Sequence, residues 1–468
     1  MASKVLVIGA GLSGLACAFD LLRAGRDVEL LEAAPRAGGV VGTIEREGYR
    51  FELGPHTLQA SSEHFRRLCG DLGIADRLVA SRPASRERYL WHAGALRALP
   101  SSLGSAITTP LLSLRAKLRI ATEFFRRYQP PADGSEPDME SFVTDRLGRE
   151  AALRLGGSFV RGVYAAELKE LGAASAFPRM YHAALEHGGL VRGLALKKKK
   201  ESEPLPGPTV PRMDLLSFPG GLQELVDALA RALGARLHLA EGALAIEHVG
   251  DLWRVRTAQG MREAPELVLA LPALAALELL RGAGIAASEL ATLSSVRHGN
   301  VVLVNTGYAR ADLPAFPRGF GFLVPPPEAG SGPGPLVLGM IFASNLFEGR
   351  APEGCVSIAG FYRGAELEAL DEGARIAQAG RDLALALGLR EAPLPRVGAS
   401  WSWKNVIPRY SPGHRARVRA LHAALLTQAP GLHLAGPWVD GVSVDMVIAR
   451  GRTVARAIVD GKPSEPAP

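Results

Sequence analysis

The sequence predicts an α/β protein of two or three domains with an additional helical segment, and three observations support this prediction. Residues 5–8 form a short apolar run followed by apolar residues at helical spacing, which is typical of a buried parallel strand leading into a helix. Residues 28–31 form a second apolar run of the same kind. Residues 101–200 contain few strand signals, and a chain of 468 residues is too long for one compact core.

A glycine-rich turn, GAGLSG, joins the first strand to the first helix. Gly9 makes the tight turn, Gly11 lets backbone N–H groups approach a pyrophosphate, and Gly14 brings the helix close to the strand. Gly25 is expected to end the helix in a left-handed conformation. Glu32 ends the second strand, 18 residues past Gly14, where a carboxylate accepts hydrogen bonds from ribose hydroxyls. The register of these features predicts a dinucleotide-binding site.

The residues after the acid indicate which dinucleotide is bound. Arg36 and the pair Gly38-Gly39 follow Glu32 directly, so a cation and two residues without side chains lie beside the phosphates. A nicotinamide-dependent enzyme does not need them there. The segment EAAPRAGG resembles the FAD-binding start of the amine oxidase and protoporphyrinogen oxidase superfamily. This resemblance implies a Rossmann-like FAD-binding domain and FAD rather than NAD, bound non-covalently because residues 398–451 contain no cysteine.

The same resemblance implies further cofactor contacts. Gly54 and Pro55 match a turn whose backbone passes along the flavin ring in the family. For His56 in this turn, an acid–base role is the alternative to a backbone contact alone, and we favour the backbone contact. The full set of implied cofactor-binding residues is Gly9, Ala10, Gly11, Leu12, Ser13, Gly14, Glu32, Ala33, Arg36, Gly39, Val40, Gly54, Pro55, His56, Thr57, Ala243, Gly436, Pro437, Val442, Ser443 and Val444.

Composition and charge exclude several classes of function. The net charge of +7 could favour anionic substrates or an anionic membrane surface, but it is too small to indicate nucleic-acid binding. Cys17, Cys69 and Cys355 are scattered, which fits a reducing compartment and predicts neither disulfides nor a metal site. The first strand begins too early to leave room for a signal peptide, and prolines interrupt the uncharged residues 98–114. We therefore expect a cytoplasmic protein without a transmembrane helix.

The helical region mixes apolar and basic residues. Residues 111–128 combine leucine and phenylalanine with arginine and lysine, and residues 197–200 are four consecutive lysines. A solvated loop is the favoured interpretation of the lysine run. Peripheral contact with the cytoplasmic face of the inner membrane is the alternative. The chain could also form a homodimer.

Changes of pattern along the chain predict that domains are built from separate segments. The predicted segments are a first FAD-binding part at residues 1–88, a helical domain that could contact membranes at 89–204, a second FAD-binding part at 205–275, a mixed-sheet substrate domain at 276–397, a third FAD-binding part at 398–460 and a disordered tail at 461–468.

Three longer motifs narrow the family. Residues 161–165 read RGVYA, residues 319–325 read GFGFLVP and residues 403–410 read WKNVIPRY. They resemble signatures of the oxygen-dependent protoporphyrinogen oxidases, and the similarity covers almost the whole chain. The resemblance implies oxidation of protoporphyrinogen IX to protoporphyrin IX in haem synthesis. This six-electron reaction takes three two-electron passes through FAD, with molecular oxygen as acceptor and hydrogen peroxide as product.

Site residues are carried over from this resemblance by position. Arg88 would pair with a propionate of the substrate, and the backbone carbonyl of Gly162 would face the macrocycle, so both are assigned to the catalytic site. The implied walls of the substrate site are Phe320, Gly321, Leu323 and Ile341. A porphyrinogen is a large apolar disc with anionic propionates at one edge, and a cation beside apolar walls suits it. No pairing of His with Asp or Cys indicates a general base.

The sequence departs from the family pattern at three places. Pro437 stands where many flavoproteins have an acid after the glycine, and Ala243 stands where a valine usually contacts the adenine. Asp445-Met446 replace an Asn-Asp or similar pair. A contact at Pro437 must therefore be made by the backbone alone or be absent.

Four alternatives remain open. A flavin amine oxidase often uses a lysine near the flavin, and residues 202–402 contain no lysine. The other three are a carotenoid desaturase, a coproporphyrinogen oxidase of the same fold, and a catalytically idle flavin-binding partner. Protoporphyrinogen carries two propionates and coproporphyrinogen carries four. We favour protoporphyrinogen as the substrate, because the matched positions offer one cation, Arg88, against apolar walls that include Phe322.

Overall fold

The computed structural model describes residues 4–196, 204–211, 214–327 and 334–467, so the lysine run 197–200 lies outside the described residues. The strands in the described parts are β1 (Lys4–Ile8), β2 (Asp27–Leu31), β3 (Thr43–Arg46), β4 (Tyr49–Glu52), β5 (Leu58–Gln59), β6 (Val79–Ala80), β7 (Tyr89–His92), β8 (Ala95–Ala98), β9 (Leu215–Ser217), β10 (Leu237–His238), β11 (Ala245–Val249), β12 (Leu252–Thr257), β13 (Gly260–Ala264), β14 (Glu266–Leu269), β15 (Arg297–Ala309), β16 (Gly321–Leu323), β17 (Gly339–Ile341), β18 (Cys355–Tyr362), β19 (Val397–Arg409) and β20 (Leu432–Leu434).

The α-helices in the described parts are α1 (Leu12–Arg23), α2 (Glu63–Asp71), α3 (Leu103–Thr108), α4 (Leu114–Glu123), α5 (Met139–Leu147), α6 (Arg149–Ala151), α7 (Ser158–Tyr164), α8 (Ala173–Ala176), α9 (Pro178–His187), α10 (Leu190–Leu196), α11 (Gln223–Leu233), α12 (Ala273–Gly282), α13 (Ala287–Ser295), α14 (Ala343–Leu346), α15 (Ala365–Glu368), α16 (Glu372–Leu387), α17 (His414–Gln428) and α18 (Val444–Asp460). A π-helical stretch, Ala152–Gly157, connects α6 to α7.

A five-stranded parallel sheet in the order β10-β2-β1-β14-β20 lies at the centre of the nucleotide-binding part. Val5, Leu6 and Val7 of its middle strand are 0% exposed. A strand covered on both faces needs apolar side chains in succession, which is why the run was visible in the sequence. The predicted strand–helix–strand unit is confirmed by β1, α1 and β2. Strands β14 and β20 come from distant parts of the chain and complete the sheet.

Helices α1 and α18 pack closely together on one face of this sheet. Gly451 of α18 permits the approach, because a Cβ atom there would lie 2.1 Å from the backbone oxygen of Ser13. The Ser13 hydroxyl also donates to the backbone oxygen of Ala435, which follows β20. A helix near the N-terminus and a helix near the C-terminus therefore form one layer under the nucleotide-binding edge.

A second sheet has seven strands in the order β19-β15-β18-β17-β16-β7-β8. The long strand β15 is antiparallel to β18 and β19, whereas β16 is parallel to β7. The predicted α/β fold with an additional mixed sheet is confirmed. Two segment boundaries differ from the prediction, since residues 89–98 and 397–409 both lie in this sheet. The strands with which they pair are remote in the chain, so the sequence did not indicate these pairings.

The helical segment between β8 and β9 has a core of its own. Tyr128, Phe142 and Tyr181 contact one another with ring centroids 5.2 to 6.0 Å apart. Glu123 and Arg146 form an ion pair in which both side chains are almost completely buried, at 2.8 Å. Further hydrogen bonds to the Glu123 carboxylate offset the cost of burying this pair. No helix in the described parts of the chain is long and apolar enough to cross a membrane.

The C-terminal residues 461–467 pack against the nucleotide-binding part, in contrast to the disordered tail that the sequence predicted. The buried Arg450 guanidinium donates to the backbone oxygens of Ser464 and Glu465, each at 2.7 Å. The backbone N–H of Ala467 donates to the Asp440 carboxylate at 2.7 Å. The tail supplies acceptors to a buried arginine, and its polar composition alone gave no sign of this.

Candidate active site

The glycines of the first turn are required for different geometric reasons. Gly9 has a φ of +100°, and a Cβ atom there would lie 2.6 Å from the backbone oxygen of Ala270. A Cβ atom on Gly14 would lie 2.0 Å from the backbone oxygen of Gly9, so the helix could not approach the strand. A Cβ atom on Gly11 would meet nothing within 4 Å. The space in front of Gly11 is therefore where a pyrophosphate can approach the backbone.

The N-terminus of α1 is open to an anion. No side chain caps it, and its first turn contains no acidic residue. Its first backbone N–H groups, which include those of Leu12 and Ser13, have no partner within an α-helix. The neighbouring loop is held in place by a hydrogen bond from the Gly38 N–H to the Ala10 oxygen at 2.8 Å. The geometry fits the diphosphate of a dinucleotide.

Glu32 lies at the carboxyl end of β2, beside this turn. Its carboxylate accepts from the backbone N–H groups of Ala10 at 2.7 Å and Ala34 at 2.8 Å. These bonds fix the carboxylate at the position expected for a ribose contact. Ala33 lies against the segment before β11, because a Cβ atom on Gly242 would be 2.9 Å from the Ala33 Cβ. Ala243 follows directly, so the structure brings the two predicted adenosine contacts together.

Arg36 organises the loop that follows Glu32. Its guanidinium donates to the backbone oxygens of Ala37 and Val41, each at 3.1 Å, and to that of Gly39. The guanidinium carbon lies 5.9 Å from the centre of the Trp403 ring. Burial lowers the pKa of Arg36 from its ordinary value. The arginine thus shapes the loop of residues 37–41, and its contact with the phosphates stays a prediction.

The turn that contains His56 lies between the two sheets. The His56 ring is 5% exposed, and its Nδ1–H donates to the Gly54 oxygen at 2.9 Å. Burial lowers the pKa of His56 to about 4, so the ring is neutral at physiological pH. A Cβ atom on Gly54 would lie 2.4 Å from the Val40 oxygen, so the turn that contains Pro55 and Thr57 packs through Gly54 against Val40. A buried neutral imidazole fits the preferred backbone role better than proton transfer.

The second cofactor segment follows β20. A Cβ atom on Gly436 would lie 2.1 Å from the Leu271 oxygen, and the Trp438 indole donates to the same oxygen at 3.0 Å. The Tyr410 hydroxyl donates to the Pro437 oxygen, and His414 Nε2–H donates to the Trp438 oxygen at 2.7 Å. The departure at Pro437 is therefore accommodated through its backbone. The WKNVIPRY motif contributes the tyrosine that holds it.

Helix α18 follows the same segment, and its N-terminus lies just after Val442. Ser443 caps this helix by accepting from the Met446 N–H at 3.3 Å. Asp445 turns away and accepts from the Phe65 N–H of α2 at 2.9 Å. Burial raises the pKa of Asp445. The departure at Asp445-Met446 thus has a structural partner in α2, and α18 begins at Val444.

The predicted substrate walls lie on one face of the seven-stranded sheet. Leu323 pairs with Gly339, and Gly339 pairs with Phe361, while Ile341 pairs with Gly321. Residues directly opposite each other share a face, so Leu323, Ile341 and Phe361 form one apolar surface, which we call the substrate floor. Phe361 also contacts His56 edge-on, with ring centroids 5.5 Å apart.

Two glycines allow close packing at the substrate floor. A Cβ atom on Gly162 of α7 would lie 2.5 Å from the Leu323 side chain, so this helix touches the floor. Gly321 has a φ of +144°, and a Cβ atom there would lie 2.0 Å from the Met340 oxygen. The predicted catalytic-site Gly162 therefore lies beside the predicted walls.

Arg88 lies at one end of the substrate floor. Its guanidinium carbon is 5.5 Å from the centre of the Phe320 ring, and Phe320 packs in one cluster with Ile341. The cation and the apolar walls predicted from the sequence therefore lie together. Their roles toward a substrate stay a prediction.

The structure changes the predicted wall at two positions. Phe322 points to the opposite side of the sheet, where it is 2% exposed and lies 6.1 Å from the Phe342 ring. The prediction that Phe322 is part of the apolar walls was wrong, because side chains alternate between the faces of a strand. Phe361 was missed. Only the pairing of β18 with β17 shows which residues of β18 reach the floor.

The sequence of this chain is similar to those of known flavoproteins. The sequence profile of the family described as flavin containing amine oxidoreductase matches residues 12–459. The protoporphyrinogen oxidase of Homo sapiens is 31% identical, over 99% of this chain and 100% of its own length. The coproporphyrinogen III oxidase of Bacillus subtilis (strain 168) is 25% identical, over 96% of this chain and 96% of its own.

A solved structure shows the same fold. Cyclohexylamine oxidase from Brevibacterium oxydans superposes with a TM-score of 0.72 at 18% identity, over 98% of this chain and 99% of that chain. Both the sequence similarity and the structural similarity therefore extend over almost the whole chain.

Proposed function

We propose that this chain, which belongs to the flavin containing amine oxidoreductase family, oxidises protoporphyrinogen IX to protoporphyrin IX with molecular oxygen. Membership of the family confirms the predicted flavin oxidoreductase and the predicted FAD cofactor. The observation that supports the substrate is the apolar substrate floor with Arg88 at one end. A flat apolar surface with a cation at its edge fits a tetrapyrrole with propionates on one side.

The reaction needs little acid–base chemistry from the protein. FAD held by the first glycine turn and Glu32 would supply two-electron oxidation with oxygen as the final acceptor, so that one porphyrinogen and three oxygen molecules would give one porphyrin and three hydrogen peroxide molecules. The floor holds the macrocycle, and Arg88 orients it through a propionate. His56 stays neutral beside Phe361, and because its Nδ1–H donates to the Gly54 oxygen we assign it no proton transfer. Product aromaticity provides the driving force.

The test measures porphyrin fluorescence and oxygen uptake with the FAD-loaded protein and protoporphyrinogen IX. We expect three oxygen molecules per porphyrin. Arg88→Ala should raise KM about tenfold, the effect of one lost charge-assisted hydrogen bond, and leave the flavin spectrum unchanged. Arg381→Ala, on the exposed face of α16 and on the other side of the sheet, is the matched control. Porphyrin formation no faster than without protein, or faster turnover of cyclohexylamine, would refute the proposal.

We also infer a cytoplasmic protein that contacts anionic membranes peripherally through α4 and its flanks. Leu114, Leu118 and Phe125 are 73%, 59% and 86% exposed. Arg115 and Arg127 lie exposed on the same segment. Exposed apolar side chains with neighbouring cations are the pattern of a helix lying in a membrane interface. The support is this surface alone, because the lysine run lies outside the described residues.

A further inference from the structure

We propose that Arg161, Arg363 and Arg409 form a second carboxylate-binding point, at the end of the substrate floor opposite Arg88. This inference rests on the porphyrinogen substrate proposed above. It adds residues that would recognise a propionate on the far side of the macrocycle, which coproporphyrinogen carries and protoporphyrinogen IX lacks. The inference therefore extends the proposed porphyrinogen oxidation to a second substrate.

The register of the sheet places two of these arginines at one end of the floor. Arg363 follows β18 two residues after Phe361, so the period of two along a strand puts it on the floor's face. The Arg161 guanidinium donates to the backbone oxygen of Pro325 at 3.3 Å, two residues past Leu323. Since Leu323 and Phe361 both pair with Gly339, the two arginines lie beyond the same edge.

The opposite end of the floor belongs to Arg88. Its guanidinium lies over Phe320, five residues before Pro325 in the chain. The intervening chain is extended and paired with β17, so a rise of about 3.3 Å per residue separates the two ends by roughly 16 Å. The two cationic points therefore lie on opposite sides of an apolar surface, as the carboxylates on opposite edges of coproporphyrinogen do.

The arginines exceed the carboxylates that they contact. Arg363 donates to Glu167 at 2.7 Å, and Arg161 lies 3.9 Å from the same carboxylate. Arg409 donates to Glu170, which is also 3.9 Å from Arg363. Three cations thus share two carboxylates among the described residues, which leaves one net positive charge in a partly buried place. An excess cation removed from water favours an additional anion.

Two donors in this cluster have no partner. The Nε atoms of Arg161 and Arg409 are buried and make no hydrogen bond within the described residues. Buried donors are normally satisfied, and a substrate carboxylate at this end of the floor would supply an acceptor. A purely structural network tying α7 to β18 and β19 would explain the ion pairs, but it would leave both the excess charge and these donors unexplained.

The experiment measures binding of oxidised porphyrins to the FAD-loaded protein by fluorescence titration, without turnover. Coproporphyrin III carries four propionates, protoporphyrin IX carries two adjacent ones, and etioporphyrin carries none. Arg161→Gln should weaken coproporphyrin III about tenfold and protoporphyrin IX by less than about threefold. Etioporphyrin binding should not change. Arg381→Gln, on the exposed face of α16, is the matched control and should affect none of them.

A variant with the opposite charge effect keeps the proposal testable if Arg161→Gln folds poorly. Glu167→Gln removes one of the two shared carboxylates, so it should tighten coproporphyrin III selectively. Equal changes for all three porphyrins, or no change with either variant, would overturn the second carboxylate-binding point. Carboxylate-dependent binding without porphyrinogen oxidation would instead refute the proposed activity and leave this point standing.

Discussion

At the scale of single residues, the glycines of the first turn separate folding from cofactor binding. Gly14 touches the backbone of Gly9, whereas the space before Gly11 is empty of protein atoms. A side chain at position 14 must displace backbone atoms. A side chain at position 11 occupies only the volume that the pyrophosphate would enter. The two positions therefore fail in different ways when a methyl group is added.

Replacement of each of these glycines by alanine tests the separation. Gly14→Ala should lower the free energy of unfolding of the FAD-free protein by about 1–3 kcal/mol or more, because the helix must move away from the strand. Gly11→Ala should leave that stability within about 0.5 kcal/mol and still lose FAD. Thermal denaturation and flavin retention on gel filtration measure the two effects. Loss of FAD without loss of stability in both variants would contradict this account.

The lowered pKa values of two buried histidines predict how the free energy of unfolding depends on pH. Burial lowers the pKa of His56 and of His414 to about 4, against an ordinary value of 6.5. The unfolded chain therefore binds more protons between pH 6.5 and pH 4, so both groups stabilise the fold above pH 6.5 and lose that effect toward pH 4. Glu52 acts in the opposite direction over this range, because burial raises its pKa to about 7.

His414→Gln isolates one of these contributions. The glutamine amide can still donate to the Trp438 oxygen, but it does not titrate. We expect the denaturant midpoint of the variant to fall less steeply than that of the parent between pH 6.5 and pH 4. Parallel pH profiles for the two proteins would show that His414 is not the group responsible. Replacement of the exposed His182 is the matched control and should leave the parent's slope unchanged.

At the scale of the element, local patterns were predictable and pairings were not. The apolar run of β1, the helical spacing of α1 and the acid after β2 depend on neighbours in the chain, so the sequence predicted them correctly. The place of β7 in the second sheet and the exclusion of Phe322 from the floor depend on pairing with distant strands. The partner of Asp445 in α2 is equally remote, which is why the departure had no explanation from the sequence.

The C-terminal tail gives a prediction at this scale. Removal of residues 462–468 would take two backbone acceptors from the buried Arg450 guanidinium and one donor from Asp440. Buried donors left unpaired cost about 1–3 kcal/mol each, so the melting temperature should fall by several degrees. Removal of Pro468 alone is the control. A melting temperature equal to that of the full chain would show that the tail does not stabilise the fold.

At the scale of the whole molecule, the two sheets are joined next to the cofactor turn. The Asn305 amide of β15 donates to the Glu52 oxygen at 3.0 Å, and the Trp403 indole of β19 donates to the Leu53 oxygen at 2.6 Å. Both acceptors directly precede Gly54. The second sheet itself therefore fixes the position of the substrate floor relative to the turn at Gly54. The helical segment takes no part in these two hydrogen bonds, so its outer surface can face elsewhere.

The outer surface of α4 gives the remaining prediction. Leu118→Asp should weaken sedimentation of the protein with anionic vesicles, because it puts a charge into the apolar contact and adds repulsion. Leu394→Asp is the matched control, since Leu394 is 86% exposed on a different part of the protein. High salt should weaken binding of the parent protein. Equal loss of binding in both variants, or binding insensitive to salt, would contradict a contact through α4.

The composition of the central sheet also bears on how the protein is made. Strand β1 and its glycine turn are synthesised long before β20 and the start of α18. Since distant segments of the chain contribute to the nucleotide-binding edge, this edge is complete only after β20 and the start of α18 have been made. We therefore expect a chain that stops before β20 to bind FAD more weakly than the chain that contains it.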